Sequence, residues 1–192
     1  MTFVEATLPG ERNRDMISIP ERNEATPYFF TYIDRVPSND IVGLLATQID
    51  QSLITLRDIS EKDSLYRYAP NKWSVRQVLN HVTDTERTFV FRSFWFARGF
   101  DSPLPSFDQV VAASNAGADD RPWNNHVEEF RLTRLATHMF FTNLPSTGWD
   151  RSGTASDMPF TVRAMAFFIA GHFDHHMAIL RERYLTAIPR SS

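Results

Sequence analysis

Cysteine is absent from this chain of 192 residues. No disulfide framework, thiol nucleophile or thiolate metal site can therefore exist within it. Any metal site must be assembled from His, Asp, Glu or water. Glycine is scarce, at seven residues. Neither GxGxxG nor GxxxxGK(S/T) occurs, which weakens a nucleotide-binding reading. An excess of one charge is also lacking: 20 basic and 23 acidic side chains leave a net charge of −3. A phosphate-backbone binder usually shows a basic stripe, so no nucleic-acid partner is expected. Long apolar runs are missing too. Met1 to Ala25 is polar and charged, without the apolar stretch of a secretory signal. The longest apolar run, Ala164–Gly171, is too short to span a bilayer. No membrane association is expected. A cysteine-free chain also fits a reducing compartment, and the expected location is the cytoplasm.

What is present is bulk. Aromatic residues make up 13% of the chain, sixteen of them Phe. A domain of this size buries roughly 70% of its unfolded surface, enough for one full core. Residues 1–26 carry scattered prolines and no long period, and read as an N-terminal arm. A short helix is expected over Pro27–Val36. Ser38 or Asn39 then supplies a helix start, and the apolar residues Ile41, Leu44, Leu45, Ile49, Leu53 and Leu56 recur at helical spacing to about Asp58. Ser74 with Gln77 three residues on forms a capping box for a second long helix to about Phe96. Its stripe is Val75, Val78, Val82, Thr85 and Phe89. A short helix is expected within Pro105–Asn115. Asn124 or Asn125 is the expected cap of a third long helix, with Val127, Phe130, Leu135, Met139 and Phe141 as its apolar face. Residues 149–158 read as a loop or short hairpin. The fourth long helix runs from Thr161 to about Leu185, with the stripe Met165, Phe168, Ile169, His172, His176, Ile179 and Leu180. Four amphipathic helices imply an all-α four-helix bundle.

The six histidines are His81, His126, His138, His172, His175 and His176. On a helix, residues four apart share one face, about 40° apart around the axis. His172 and His176 can therefore aim at one point, and they lie on the apolar stripe. Neutral imidazole is a common ligand of divalent transition metals. A buried His without a partner is costly, which favours a paired use. The pair His172 and His175 is a geometric alternative. A third ligand must come from another helix, and His81, next to the core position Val82, is the natural candidate. His126 and His138 read as structural. Three His ligands leave a coordination position open, as catalytic sites do.

Two stretches resemble a known family. Trp73-Ser-Val-Arg-Gln-Val-Leu-Asn-His81-Val-Thr-Asp-Thr-Glu86 resembles the second-helix motif of the DinB superfamily, in particular its YfiT-like members. Ile169-Ala-Gly-His172-Phe-Asp-His-His176-Met-Ala-Ile-Leu180 resembles its last-helix motif. The likeness covers residues 27 to 185, and residues 27–188 are taken as the DinB-like bundle domain. The resemblance implies a four-helix bundle of up-down-down-up order, and a divalent metal (Zn, Ni or Fe) held by His81, His172 and His176. His175 falls where the family often has a His that is not a ligand. The resemblance further implies a metal-dependent hydrolase or a thiol S-transferase acting on a small-molecule substrate, with a low-molecular-weight thiol as co-substrate in the second case, and a homodimer.

The competing expectation is a non-catalytic metal-binding stress-response scaffold. For an enzyme, Asp174 or Glu86 would orient a ligand imidazole. An ideal helix points Asp174 away from both His172 and His176, and Glu86 suits a solvated or salt-bridged role better. Trp73, Arg87 and Arg92 are candidates for lining a pocket for an anionic substrate.

Overall fold

The computed structural model describes residues 16–187. Residues 1–15 of the expected arm and residue 188 of the expected domain lie outside the described residues. The helices are α1 (Pro27–Ile33), α2 (Ile41–Arg57), α3 (Val75–Ala97), α4 (Gln109–Asn115), α5 (Trp123–Thr142) and α6 (Val162–Ile179). A π-helical stretch, Leu180–Leu185, continues α6. Strands β1 (Ser152–Ala155) and β2 (Met158–Thr161) form an antiparallel hairpin. Its turn residues Ser156 and Asp157 have φ of 56° and 59°, the left-handed pair of a type I′ turn. No helix among the described residues is long and apolar enough to cross a membrane.

Local chemistry starts each long helix. Asp40, rather than Ser38 or Asn39, caps α2: its carboxylate accepts from the Gly43 N–H at 2.8 Å. The expected Ser74–Gln77 capping box opens α3. Thr161 caps α6 through the Ala164 N–H at 3.0 Å. Helix α5 differs from expectation. Neither Asn124 nor Asn125 caps it; Pro122 stands at the cap position, and Glu61 from a distant loop accepts the Trp123 N–H at 2.8 Å. That cap is tertiary, so no local signal announces it.

Helix α2 packs on α5 and α6, and so does α3. Helix α2 therefore lies diagonally across the bundle from α3, and α5 from α6. Contacts along the helices set their directions. Ser93, late in α3, donates to Met165 Sδ, early in α6, while His81, early in α3, meets His172, late in α6; α3 and α6 run antiparallel. Trp123 at the start of α5 donates its indole N–H to Leu56 O at the end of α2. Ile41 and Leu45 pack with the first half of α6, and Leu53 and Leu56 with its second half. The order is thus up-down-down-up. The described part of the arm is tied down as well: Arg163 on α6 reaches Glu24 at 2.7 Å, and the Ile17 N–H reaches Asn39 O at 3.0 Å.

The core is split in two. One apolar cluster surrounds α1, the hairpin and the first half of α6, and the other surrounds the second half of α6. Between them lies a polar layer to which every long helix contributes. Arg134 of α5 donates through Nε to both oxygens of Glu86 of α3 at 2.9 Å, and through Nη1 to Gln48 of α2 at 2.5 Å. Gln48 donates in turn to Ala170 O of α6 at 3.1 Å. Arg134 and Glu86 are 0% and 2% exposed, and the guanidinium also lies 4.7 Å from the Phe173 ring centroid. This layer corrects the expected α5 face. Arg134 and Thr137 are buried, whereas Leu135 and Met139 are exposed. The inward positions are Trp123, Val127, Phe130, Arg134, Thr137 and Phe141, a regular helical stripe with an arginine inside it.

Two consequences are testable by denaturant unfolding. Arg134→Met leaves Glu86 buried and unpaired, and should lower stability by about 3–5 kcal/mol; adding Glu86→Leu should recover most of that loss. At Gly171 an added Cβ would sit 2.0 Å from Tyr32 O on α1. Gly171→Ala should therefore cost about 1–3 kcal/mol, the range of core overpacking.

Candidate metal centre and its cleft

Three imidazoles meet beside the polar layer. Helix α3 turns His81 inward along the same face as Val78 and Val82, and α6 presents His172 and His176 one turn apart. His172 Nε2 lies 3.1 Å from His81 Nε2 and 3.1 Å from His176 Nε2. The three ligand atoms all fall within 4.8 Å of one another. His81 and His172 are buried and His176 is half-buried.

The donor set fits a divalent cation. An imidazole nitrogen is either a donor or an acceptor, never both, and one N–H cannot serve three converging nitrogens. A shared cation satisfies all three lone pairs. Nitrogens about 2.1 Å from one ion stand about as far apart as these do. Ligation also needs neutral imidazole. Burial lowers His81 to about 4 and His176 to about 3, with neighbouring imidazoles adding to the effect at His176. His172 lies well below the ordinary value, first through burial and then through its His neighbours and Arg134. All three are therefore neutral near pH 7.

The surroundings hold the rings in place. Thr85 Oγ1 is 3.4 Å from His81 Nδ1. The Trp73 ring lies 5.0 Å from His81, and Phe168 and Tyr32 lie 5.3 and 5.4 Å from His172. Trp73 also walls a cleft of about 300 Å³ that reaches His176. Tyr68, Val78, Ile179 and Tyr184 complete the walls, and Asn71, Lys72 and Arg183 stand at the mouth. The Tyr184 hydroxyl donates to Trp73 O at 2.8 Å, which fastens the π-helical end of α6 to the start of α3. Asn71 takes φ of 61°, a left-handed conformation that Asn tolerates better than most residues.

The remaining candidates fall elsewhere. The His175 ring packs 5.3 Å from Tyr32 and lies outside the trio, so the alternative His172–His175 pairing does not form. His126 Nε2 donates to Ala118 O at 2.8 Å, as a structural histidine does. His138 lies on α5, with Nε2 3.4 Å from Thr142 Oγ1. Neither carboxylate orients a ligand imidazole. Glu86 pairs with Arg134, and it does so in the core rather than in solvent. Burial raises the Asp174 carboxyl, and a hydrogen bond with Gln48 opposes that rise. Trp73 lines the cleft as expected, but Arg87 and Arg92 do not. Arg87 is exposed and pairs with Glu129 at 2.8 Å. Arg92 is buried on Pro105 O and Ser156 Oγ at 3.0 and 2.9 Å. The cleft residues missed in the sequence are Tyr68, Asn71, Lys72, Arg183 and Tyr184. Arg183 did carry a signal, since it lies two turns after His176 on one helical face.

Comparison with known proteins agrees with this architecture. The family model described as the DinB superfamily matches residues 44–180. Among solved structures, the chain is similar to YfiT from Bacillus subtilis, described as a probable metal-dependent hydrolase with an unusual four-helix bundle topology. The two share 14% identity and a TM-score of 0.64, over 86% of this chain and 91% of that one. No curated protein matches the chain significantly.

The buried imidazoles set a pH dependence. His81, His126, His172 and His176 all have lowered values in the fold, so the unfolded chain binds more protons below its ordinary histidine pKa of about 6.5. Stability then rises with pH and is lost as pH falls below that value. Each group contributes a slope of up to about 1.4 kcal/mol per pH unit. Denaturation midpoints of metal-free protein should fall from pH 7 to pH 5, and His81→Gln should flatten that slope by roughly one proton's worth.

Proposed function

The chain belongs to the DinB superfamily, and from that premise we propose that it is a cytoplasmic metal-dependent enzyme acting on a small electrophile. His81, His172 and His176 hold one divalent ion, Zn, Ni or Fe. One observation carries this reading: three imidazole nitrogens converge where a cation satisfies them, and His176 opens onto a cleft of about 300 Å³. A purely structural ion has no need of such an approach, and catalytic sites keep one position open. The description of YfiT as a probable metal-dependent hydrolase supports the same reading.

A divalent ion in this position supplies Lewis acidity, which activates water for hydrolysis or a low-molecular-weight thiol for transfer. The chain's own residues do the rest. The trio fixes the position of the reacting group, and Thr85 steadies His81 through Nδ1. Trp73, Tyr184 and Ile179 restrict water around His176. With no cysteine in the chain, a transfer reaction takes its sulfur from a separate thiol.

Elemental analysis after loading should find about one divalent ion per chain. His172→Ala or His81→Ala should weaken binding by more than the roughly 10–100-fold typical of outer-shell changes, and His175→Ala should leave it nearly unchanged. Wild-type protein without metal after Zn or Ni loading would refute the site. Metal-loaded protein should turn over members of an ester, amide and thiol-plus-electrophile panel; inactivity across the panel with full metal occupancy would favour the scaffold role.

A further inference from the structure

The cleft has a polarity along its length. At its inner end stands His176, and its walls are aromatic and aliphatic: Trp73, Tyr68, Tyr184 and Ile179. At the mouth the charged residues are Lys72 and Arg183, both exposed, with no carboxylate among the lining residues. Neither cation has an ion-pair partner among the described residues, whereas the neighbouring Arg67 is paired with Asp119. Arg183 is nonetheless held in position. Its Nη1 donates to the Tyr68 hydroxyl at 3.3 Å, and its guanidinium carbon lies 5.6 Å from the Tyr68 ring centroid. Only one of its nitrogens is engaged in this way, so the rest of the fork is available for a planar anion.

We propose that the cleft selects a small molecule with an apolar body and a carboxylate, bound by Arg183 and Lys72 at the mouth while its other end reaches the histidine trio. This deepens the metal-enzyme reading and rests on it for the role of that inner end. Three features argue for this ligand class. The volume, about 300 Å³, is at the small end of ligand pockets, which run from about 300 to 1,000 Å³. The walls offer flat aromatic faces to an apolar body. Unpaired cations at the mouth of a low-dielectric cleft attract anions and disfavour cations. The carboxylate belongs either to the electrophilic substrate or to a thiol co-substrate, and the two sources differ in whether a thiol is needed for binding.

The test uses full-length protein and two probe pairs, each a carboxylate and its neutral amide of nearly equal size. Benzoate and benzamide are titrated into metal-free protein, followed by NMR of the Trp73 indole N–H. 4-Mercaptobenzoate and 4-mercaptobenzamide are titrated into Co(II)-loaded protein, followed by thiolate-to-cobalt absorption. The carboxylate member of each pair should bind about fivefold more tightly, the worth of a charge pair near 1 kcal/mol. Arg183→Gln together with Lys72→Gln should reduce that preference to less than about twofold. Arg181→Gln, outside the cleft lining, should keep it. Equal binding of the two members of both pairs to wild-type protein would overturn the inference, as would a preference that survives the double variant. A preference seen with benzoate assigns the carboxylate to substrate recognition, and one seen only with the thiol pair assigns it to the co-substrate. Failure of cobalt to bind refutes the metal reading alone, because the benzoate pair still decides the charge preference.

Discussion

Polar groups buried between helices must find one another, and that constraint organises this bundle. Arg134, Glu86 and Gln48 each come from a different helix, and together they reach the backbone of a fourth. Sliding α3 or α5 by a turn would strand a charge in an apolar interior, where an unpaired ion costs several kcal/mol, and sliding α2 or α6 would break the hydrogen bonds of the Gln48 amide. The layer therefore sets the axial register of all four long helices. A register set in this way brings His81 of α3 level with His172 and His176 of α6. Without it, the two apolar clusters on either side would tolerate several alignments, since hydrophobic burial is non-directional.

The histidine trio depends on this register and on one close approach. Gly171 lets α1 pack its backbone directly on α6, which brings Tyr32 beside His172. Burial then keeps the imidazoles neutral, and neutral imidazole is the form that binds metal. The residues that make the interior costly for a charge thus keep the three imidazole lone pairs free of protons. At the open end, the π-helical extension of α6 brings Tyr184 under Trp73 and Arg183 to the cleft mouth. Short π segments recur at functional sites because they redirect side chains without ending the helix. Here one such segment joins the wall and the mouth of a single cleft.

Much of this was legible before the fold was known. The α2, α3 and α6 stripes and the Ser74–Gln77 capping box are local patterns, and the structure follows them. The i, i+4 pair His172 and His176 is legible for the same reason: helical geometry alone puts both on one face. Helix α5 was harder. Its stripe runs through Arg134, and a reading that seeks apolar residues moves the face one position to Leu135. Its cap was invisible because Glu61 supplies it across the fold. Arg87 and Arg92 looked equivalent to any cleft arginine, since charge alone does not say which side of a helix ends in solvent.

By itself, the sequence determined an all-α chain without thiol chemistry, four amphipathic segments and two imidazoles one helical turn apart. These follow from composition and from the 3.6-residue period, which act over a few residues. Tertiary structure decided what depends on distant groups meeting. It joined His81 to the pair, placed Glu86 in the core with Arg134, excluded His175, and made a cleft from Trp73, Tyr184 and Arg183. The physical reason is range. Helix periodicity and capping are local, whereas charge pairing and metal-type convergence require side chains separated by tens of residues to share a few ångströms of space.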